Sequence, residues 1–118
     1  MSQPTDLRKA NAAIFEHLLD WFPDIIQSVD SDGQIVYVNR KASEILGYAK
    51  EELIGLNIRD LYAPDMLLQV DAGFSKLKKQ GTLTVCDSAI MSKTGERIPV
   101  EIRSFAVYDD DGSFVRTF

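Results

Sequence analysis

The stretch from Asp30 to Tyr48, DSDGQIVYVNRKASEILGY, passes from turn to strand to helix without a spacer. Gly33 can adopt a positive φ in the turn, and the apolar run QIVYV that follows predicts a short strand. The preceding segment, DIIQSVD, is also strand-like, so the two segments predict a β-hairpin. Asn39 is a favourable N-cap for the next helix, and Gly47 is a favourable C-cap. A hairpin connected so directly to a helix requires the helix to lie against the sheet.

Three more helical segments are predicted before the chain turns to β-structure. KEEL ends before Gly55, and Asn57 can cap the next short segment, IRDL. A longer helix starts at Pro64, which is favoured at the first helical position, and runs through Lys79. Its apolar side chains form one stripe, composed of Leu67, Val70, Phe74 and Leu77. These segments predict a helical layer that contributes one apolar face to the core.

The N-terminal segment TDLRKANAAIFEHLLDWF predicts an amphipathic helix that ends before Pro23. One stripe has heptad spacing, which is typical of a helix that packs against another helix. This stripe is the predicted dimer interface, composed of Leu7, Ile14, Leu18 and Trp21. A second stripe beside it contains Phe15, Leu19 and Phe22. One wide face packed on the domain's own core is the alternative interpretation.

The last third of the sequence predicts three strands. TLTVCDSAIMS and RIPVEIRSFAVY flank a KTGE turn, and SFVRTF follows the turn at Asp109–Gly112. Ile98, Val100 and Ile102 alternate with Pro99 and charged residues, which predicts a strand with one buried face and one solvent-exposed face. Pro99 lacks an N–H and must lie at an edge or a bulge. The predicted fold is α+β, with a five-stranded antiparallel sheet, helices on one face and an N-terminal flanking helix.

The composition and charge of the chain argue against several classes of function. A length of 118 residues suits one domain, and the 45% hydrophobic and 26% charged content is typical of a globular protein. A net charge of -5 and a pI near 4.7 argue against binding to nucleic acids or anionic membranes. No apolar run approaches the roughly 20 residues of a membrane span. A single cysteine, Cys86, cannot form an internal disulfide, so a reducing, cytoplasmic location is expected.

Two stretches, PDIIQSVDSDGQIVYVNRKASEILGYAKEELIGLNIRDLYAPD and KTGERIPVEIRSFAVYDDDG, together resemble a PAS domain. The resemblance implies a sheet of strand order 2-1-5-4-3 whose helices enclose a pocket. It also implies a sensor or dimerisation module attached to an output domain, such as a histidine kinase or a diguanylate cyclase. We expect an N-terminal helix at 1–21 and the PAS domain at 22–118. Because the last strand of a PAS domain normally continues beyond the position of Phe118, we expect a fragment of a longer sensor.

A photoactive flavin adduct is not expected. GLNIRDLY resembles the motif of light-oxygen-voltage photosensors, Gly-x-Asn-Cys-Arg-Phe-Leu-Gln, at Gly55, Asn57, Arg59 and Leu61. The position of the reactive cysteine is occupied by Ile58, and that of the glutamine by Tyr62. Ile90 and Val100 occupy the positions of flavin-binding amides, and aliphatic side chains cannot hydrogen-bond to the polar edge of a flavin.

Haem binding and catalysis are not expected either. Haem-binding PAS domains usually supply a histidine from the longer helix, but Pro64–Lys79 has none, and His17 lies in the N-terminal helix. No base and nucleophile are placed to act together, so no catalytic residue and no metal ligand set are predicted. Cys86 is expected to be a packed, unreactive thiol on a strand face that it shares with Ser88 and Ile90.

The remaining candidate site is the interior between helices and sheet. Its apolar lining and few polar contacts suit a small apolar or partly polar ligand. The predicted lining residues are Ile45, Leu46, Asn57, Ile58, Tyr62, Leu67, Val70, Ser88, Ile90, Ile98, Val100 and Ile102. Two alternatives stay open: a ligand-free dimerisation domain with a filled core, and a redox sensor that binds flavin non-covalently. The cofactor is therefore unknown at this stage.

Overall fold

The computed structural model describes the backbone from residue 4 and the side chains from residue 9 to residue 118. The first element, α1, is the predicted N-terminal helix, and a hairpin, short helices, a longer helix and three strands follow in the predicted order. The elements are α1 (Pro4–Asp20), β1 (Gln27–Val29), β2 (Ile35–Val38), α2 (Arg40–Leu46), α3 (Lys50–Leu53), α4 (Ile58–Leu61), a 3-10 turn (Pro64–Met66), α5 (Leu67–Gln80), β3 (Thr82–Met91), β4 (Arg97–Tyr108) and β5 (Phe114–Thr117).

The five strands are antiparallel and form two hydrogen-bonded groups, β1-β2 and β3-β4-β5. The groups meet where Asp30 bridges Arg116, next to the end of β1. Beside this bridge, Ser28 Oγ donates to the Thr117 carbonyl at 2.6 Å, and Val29 N donates to Thr117 Oγ1 at 3.2 Å. β1 therefore neighbours β5, which partly confirms the predicted order 2-1-5-4-3.

An apolar core, here called the interior cluster, lies between α2–α5 and one face of the sheet. Its buried members are Val29, Ile35, Val38, Ala42, Leu46, Leu53, Ile58, Leu61, Tyr62 and Ile90. The predicted alternation along β4 is confirmed, because Ile98, Val100 and Ile102 pack against this cluster while Pro99 and its charged neighbours are exposed. β5 pairs only with Ala106–Tyr108, so Pro99 faces no β5 partner, as its missing N–H requires.

Asn39 connects the start of α2 to two other parts of the chain. Its side chain is fully buried, and its Oδ1 accepts from Ala42 N at 3.2 Å, as predicted for the N-cap. The same oxygen accepts from Ile26 N at 3.0 Å. Nδ2 donates to the carbonyls of Leu19 and Asp24 at 2.9 and 3.0 Å. Asn39 therefore joins the last turn of α1, the approach to β1 and the first turn of α2.

Two details of the prediction are wrong. The helix expected from Pro64 begins with a 3-10 turn, and its α-helical part starts at Leu67; such turns are frequent at helix N-termini. Cys86 is exposed and not packed. The reason is a β-bulge in β3 between Val85 and Ser88, which interrupts the alternation that the prediction carried through this strand.

The Asp20 carboxylate secures the other side of the α1–α2 junction. Its Oδ1 accepts from Arg40 N at 2.6 Å and from Lys50 Nζ at 3.2 Å. Burial by itself would raise the pKa of Asp20, but these two donors outweigh that effect and hold the pKa below its ordinary value of 3.8. The ionised carboxylate therefore stabilises the folded state above the ordinary pKa, and this contribution disappears as the pH falls through the lowered pKa.

We expect Asp20→Ala to lower the free energy of unfolding by about 1 kcal/mol at neutral pH, because a charge-assisted contact is lost. The difference from the original chain should disappear in strongly acid solution. Urea denaturation across the acid range measures it, with Asp24→Ala as the control for loss of an exposed carboxylate nearby. A difference that stays the same at every pH would contradict this role of Asp20.

Candidate functional site

The structure brings most of the predicted lining residues together. Leu46, Ile58, Tyr62 and Ile90 are buried members of the interior cluster. Five more predicted residues pack against them while remaining partly exposed, and these are Leu67, Val70, Ile98, Val100 and Ile102. The two groups come from α2, α4, α5, β3 and β4, and Tyr62 directly follows α4. The interior is thus enclosed by both layers of the fold.

Ile45 and Asn57 lie elsewhere. The Ile45 side chain is 39% exposed on the outer side of α2, although its neighbour Leu46 is 1% exposed. Asn57 caps α4 as predicted: its Oδ1 accepts from Arg59 N at 3.1 Å, and Asp60 completes a capping box. Asn57 Nδ2 donates to the Asp32 carbonyl at 2.9 Å. The polar atoms of Asn57 therefore form hydrogen bonds with the turn of the β1-β2 hairpin and with α4, and not within the interior.

Ser88 contributes the polar atom that the sequence suggested for the interior. Ser88 lies opposite Val100 in the β3-β4 ladder, so the two side chains share the sheet face that contacts the interior cluster. Its Oγ is buried and has no hydrogen-bond partner among the described residues. Gln69 Oε1 is likewise buried and unpartnered, whereas Gln69 Nε2 donates to the Asp87 carbonyl at 2.7 Å. Gln69, which the sequence prediction did not include, is only partly buried and is not a member of the interior cluster.

The interior carries no formal charge among the described residues. The buried polar residues of the described chain as a whole are uncharged, namely Ser28, Asn39, Ser88, Ser92 and Thr117. Burial raises the pKa of the Tyr62 phenol to about 12, so this hydroxyl stays protonated at physiological pH. Within the side chains described, His, Cys, Asp and Glu form no group of three or more that could hold a metal ion. The interior can therefore offer apolar contacts and neutral hydrogen bonds.

Two surface clefts reach some of these residues from outside. One lies beside the β3 bulge, where Cys86, Ser88 and Val100 contribute to its walls. The other lies between the β1-β2 turn, α4 and α5, and Ile58 and Val70 contribute to its walls. Both clefts are open to solvent and are walled by charged as well as apolar residues. They differ from the enclosed apolar pocket that the sequence suggested.

The described part of α1 presents uncovered apolar side chains. Ile14, Leu18 and Trp21 are 58%, 55% and 74% exposed, whereas Leu19 is buried at 8%. Phe15 contacts the Phe118 ring edge-on, with 6.3 Å between the ring centroids. The backbone of Leu7, the first residue of the predicted interface, lies in α1, but its side chain lies outside the described residues. Three of the four predicted interface side chains are thus exposed in the structure.

The sequence profile of the PAS domain family matches residues 23–118. The chain therefore belongs to the PAS domain family. Members of this family are typically regulatory sensor modules of signalling proteins. No curated protein matches the sequence. Among the described residues, no helix is long and apolar enough to cross a membrane.

Solved PAS domains share the fold. The PAS domain of an HTR-like protein from Haloarcula marismortui superposes with a TM-score of 0.78 at 20% identity, covering 96% of this chain and 92% of that one. A PAS domain from Colwellia psychrerythraea gives a TM-score of 0.75 at 22% identity, covering 94% of this chain and 92% of that one. A PAS domain from a two-component sensor histidine kinase gives a TM-score of 0.78 at 17% sequence identity, covering 94% of this chain and 96% of that one.

Proposed function

We propose that this chain is the sensory module of a cytoplasmic signalling protein. In this proposal α1, within residues 1–21, joins two copies into a homodimer, and residues 22–118 form the unit that detects a small molecule. The signal passes to a covalently linked output domain, such as a histidine kinase or a diguanylate cyclase. The similarity to a PAS domain of a sensor histidine kinase supports a kinase output. The chain itself carries no catalytic role in this proposal.

The exposed stripe of α1 is the observation that carries the dimer proposal. Ile14, Leu18 and Trp21 follow one another at four and three residues, the spacing at which side chains share one helix face. All three are more than half exposed, and burying such a stripe against a second copy is favourable. In a two-fold symmetric dimer, each residue contributes on both subunits. A shift of one copy relative to the other can then carry the signal.

We expect the original chain to sediment as a dimer, and Ile14→Asp combined with Leu18→Asp to weaken the dimer by more than about 100-fold. Analytical ultracentrifugation over a concentration series measures this. The matched control is Leu68→Asp, because Leu68 is an equally apolar side chain, 87% exposed, on α5. A monomeric original chain at high micromolar concentration would refute the dimer, as would equal weakening by the control.

The interior between α5 and β3 is the proposed ligand site. Apolar residues from both layers meet there, and the unpartnered Ser88 Oγ lies on the sheet face that contacts them. Native mass spectrometry of the chain purified from its own host tests whether a ligand is bound. A reproducible added mass supports the sensor, and its consistent absence favours a ligand-free dimerisation domain.

A further inference from the structure

A histidine in the last turn of α1 is hydrogen-bonded to the tryptophan of the exposed stripe. The sequence contains one histidine and one tryptophan, His17 and Trp21. The Trp21 indole N–H donates to His17 Nε2 at 3.3 Å, and the ring centroids lie 6.3 Å apart at an interplanar angle of 71°. The indole therefore presents its N–H edge, and not its face, to the imidazole nitrogen.

This hydrogen bond requires the neutral form of His17. An imidazole nitrogen accepts a hydrogen bond only while it carries a lone pair, and in the protonated ring both nitrogens are donors. Histidine is the side chain whose charge ordinarily changes between about pH 5 and 8. The bond between Trp21 and His17 is therefore compatible with the upper end of this range and is lost when the ring is protonated.

The surroundings of His17 contain charges of both signs. Asp20 lies three residues further along, on the same side of α1, but its carboxylate already accepts from Arg40 N and Lys50 Nζ. None of the described carboxylates forms an ion pair with His17. Protonation therefore adds a positive charge that no described acid neutralises directly. The other charged side chains of α1, of the segment after it and of the parts of α2, α3 and β5 that meet it are Lys9, Glu16, Asp24, Arg40, Lys41, Glu44, Lys50 and Arg116.

Trp21 belongs to the surface that the proposed dimer buries. It is 74% exposed in the single chain, and a buried indole N–H needs an acceptor. Neutral His17 supplies that acceptor from the same helix. With His17 protonated, burial would leave the indole N–H unpaired and would remove a positive charge from water. In the separate chains, by contrast, the carbonyl end of α1 favours a cation in its last turn.

We propose that His17 makes the α1 dimer sensitive to pH, so that two copies associate while His17 is neutral and separate when it is protonated. This inference rests on the proposed dimer and specifies its regulation. A two-fold symmetric dimer contains two such pairs, so the effect of one lost neutral hydrogen bond, about fivefold, counts twice and raises the Kd about 30-fold. The chain would then answer a fall in pH through its oligomeric state.

Analytical ultracentrifugation of the full chain at about pH 8 and about pH 5.5 measures the effect. We expect the dimer Kd to be about 30-fold higher at the lower pH. His17→Gln is the matched variant, because glutamine keeps an acceptor for the indole N–H and does not titrate. Its Kd should be the same at both pH values.

The fluorescence of Trp21, the single tryptophan, reports the contact in the same samples. We expect its intensity to change in one transition between about pH 5 and 8 in the original chain and to show no such transition in His17→Gln. A fluorescence that does not respond to pH in the original chain would overturn the inference, because the two side chains would then not be in contact.

The sedimentation outcomes separate this inference from the proposed dimer. An equal Kd of the original chain at both pH values would overturn the pH dependence and leave the dimer in place. A pH dependence that persists in His17→Gln would also overturn it, because carboxylates such as Asp20 would then be responsible. A monomeric original chain at the higher pH and high micromolar concentration would overturn both proposals.

Discussion

Replacing Asn39 by alanine is expected to lower the free energy of unfolding by about 3 kcal/mol, more than a lost helix cap alone would cost. The substitution leaves Ile26 N–H without its partner and removes the donor to the Leu19 and Asp24 carbonyls. It also removes the cap on Ala42 N. Urea denaturation followed by circular dichroism measures the loss. Because domains of this size have only about 5–15 kcal/mol of stability, the effect is large.

The matched control is Asn57→Ala. Asn57 is also an N-cap asparagine, but its bonds stay within the hairpin turn and α4. We expect it to lower the free energy of unfolding by about 1 kcal/mol, the usual cost of losing a cap. Equal losses for the two variants would show that the bonds from Asn39 to α1 and to the approach of β1 contribute nothing to stability.

Leu46→Ala is expected to lower the free energy of unfolding by about 3 kcal/mol, because it removes a buried side chain from the interior cluster and leaves a cavity. The adjacent substitution Ile45→Ala provides the comparison, since Ile45 is 39% exposed and should cost less than about 1 kcal/mol. The two substitutions remove the same number of carbon atoms from neighbouring positions. Similar losses for both would mean that Ile45 also packs against the interior in solution.

Local signals explain why so much of the fold was predictable. The turn at Gly33, the caps at Asn39 and Asn57 and the glycine at Gly47 each act within a few residues, and all are found in the structure. The alternation along β4 depends only on which face meets the core, so it too can be read locally. The contacts that place β1 beside β5 join residues nearly 90 positions apart, and only the PAS resemblance suggested them.

The features that the sequence did not predict depend on small rotations or register shifts of an element, or on hydrogen bonds between residues far apart in the chain. Neighbouring helix positions point about 100° apart, so in a seven-residue helix the burial of Leu46 and the exposure of Ile45 depend on how α2 is rotated. One extra residue in β3 turns Cys86 outward. The bonds from Asn39 to Leu19 and Asp24 reach across 20 and 15 positions. The bond from Gln69 to the Asp87 carbonyl depends on how α5 docks on β3, which no short-range pattern specifies.

Because of the bulge in β3, the chain can be labelled for spectroscopy without adding or removing a cysteine. Since Cys86 is the single cysteine of the sequence and its side chain is exposed, a nitroxide or fluorescent reagent will attach at one defined point. In the proposed homodimer two such labels would report one distance, so a pulsed electron spin measurement would test both the pairing and any rearrangement of the two copies.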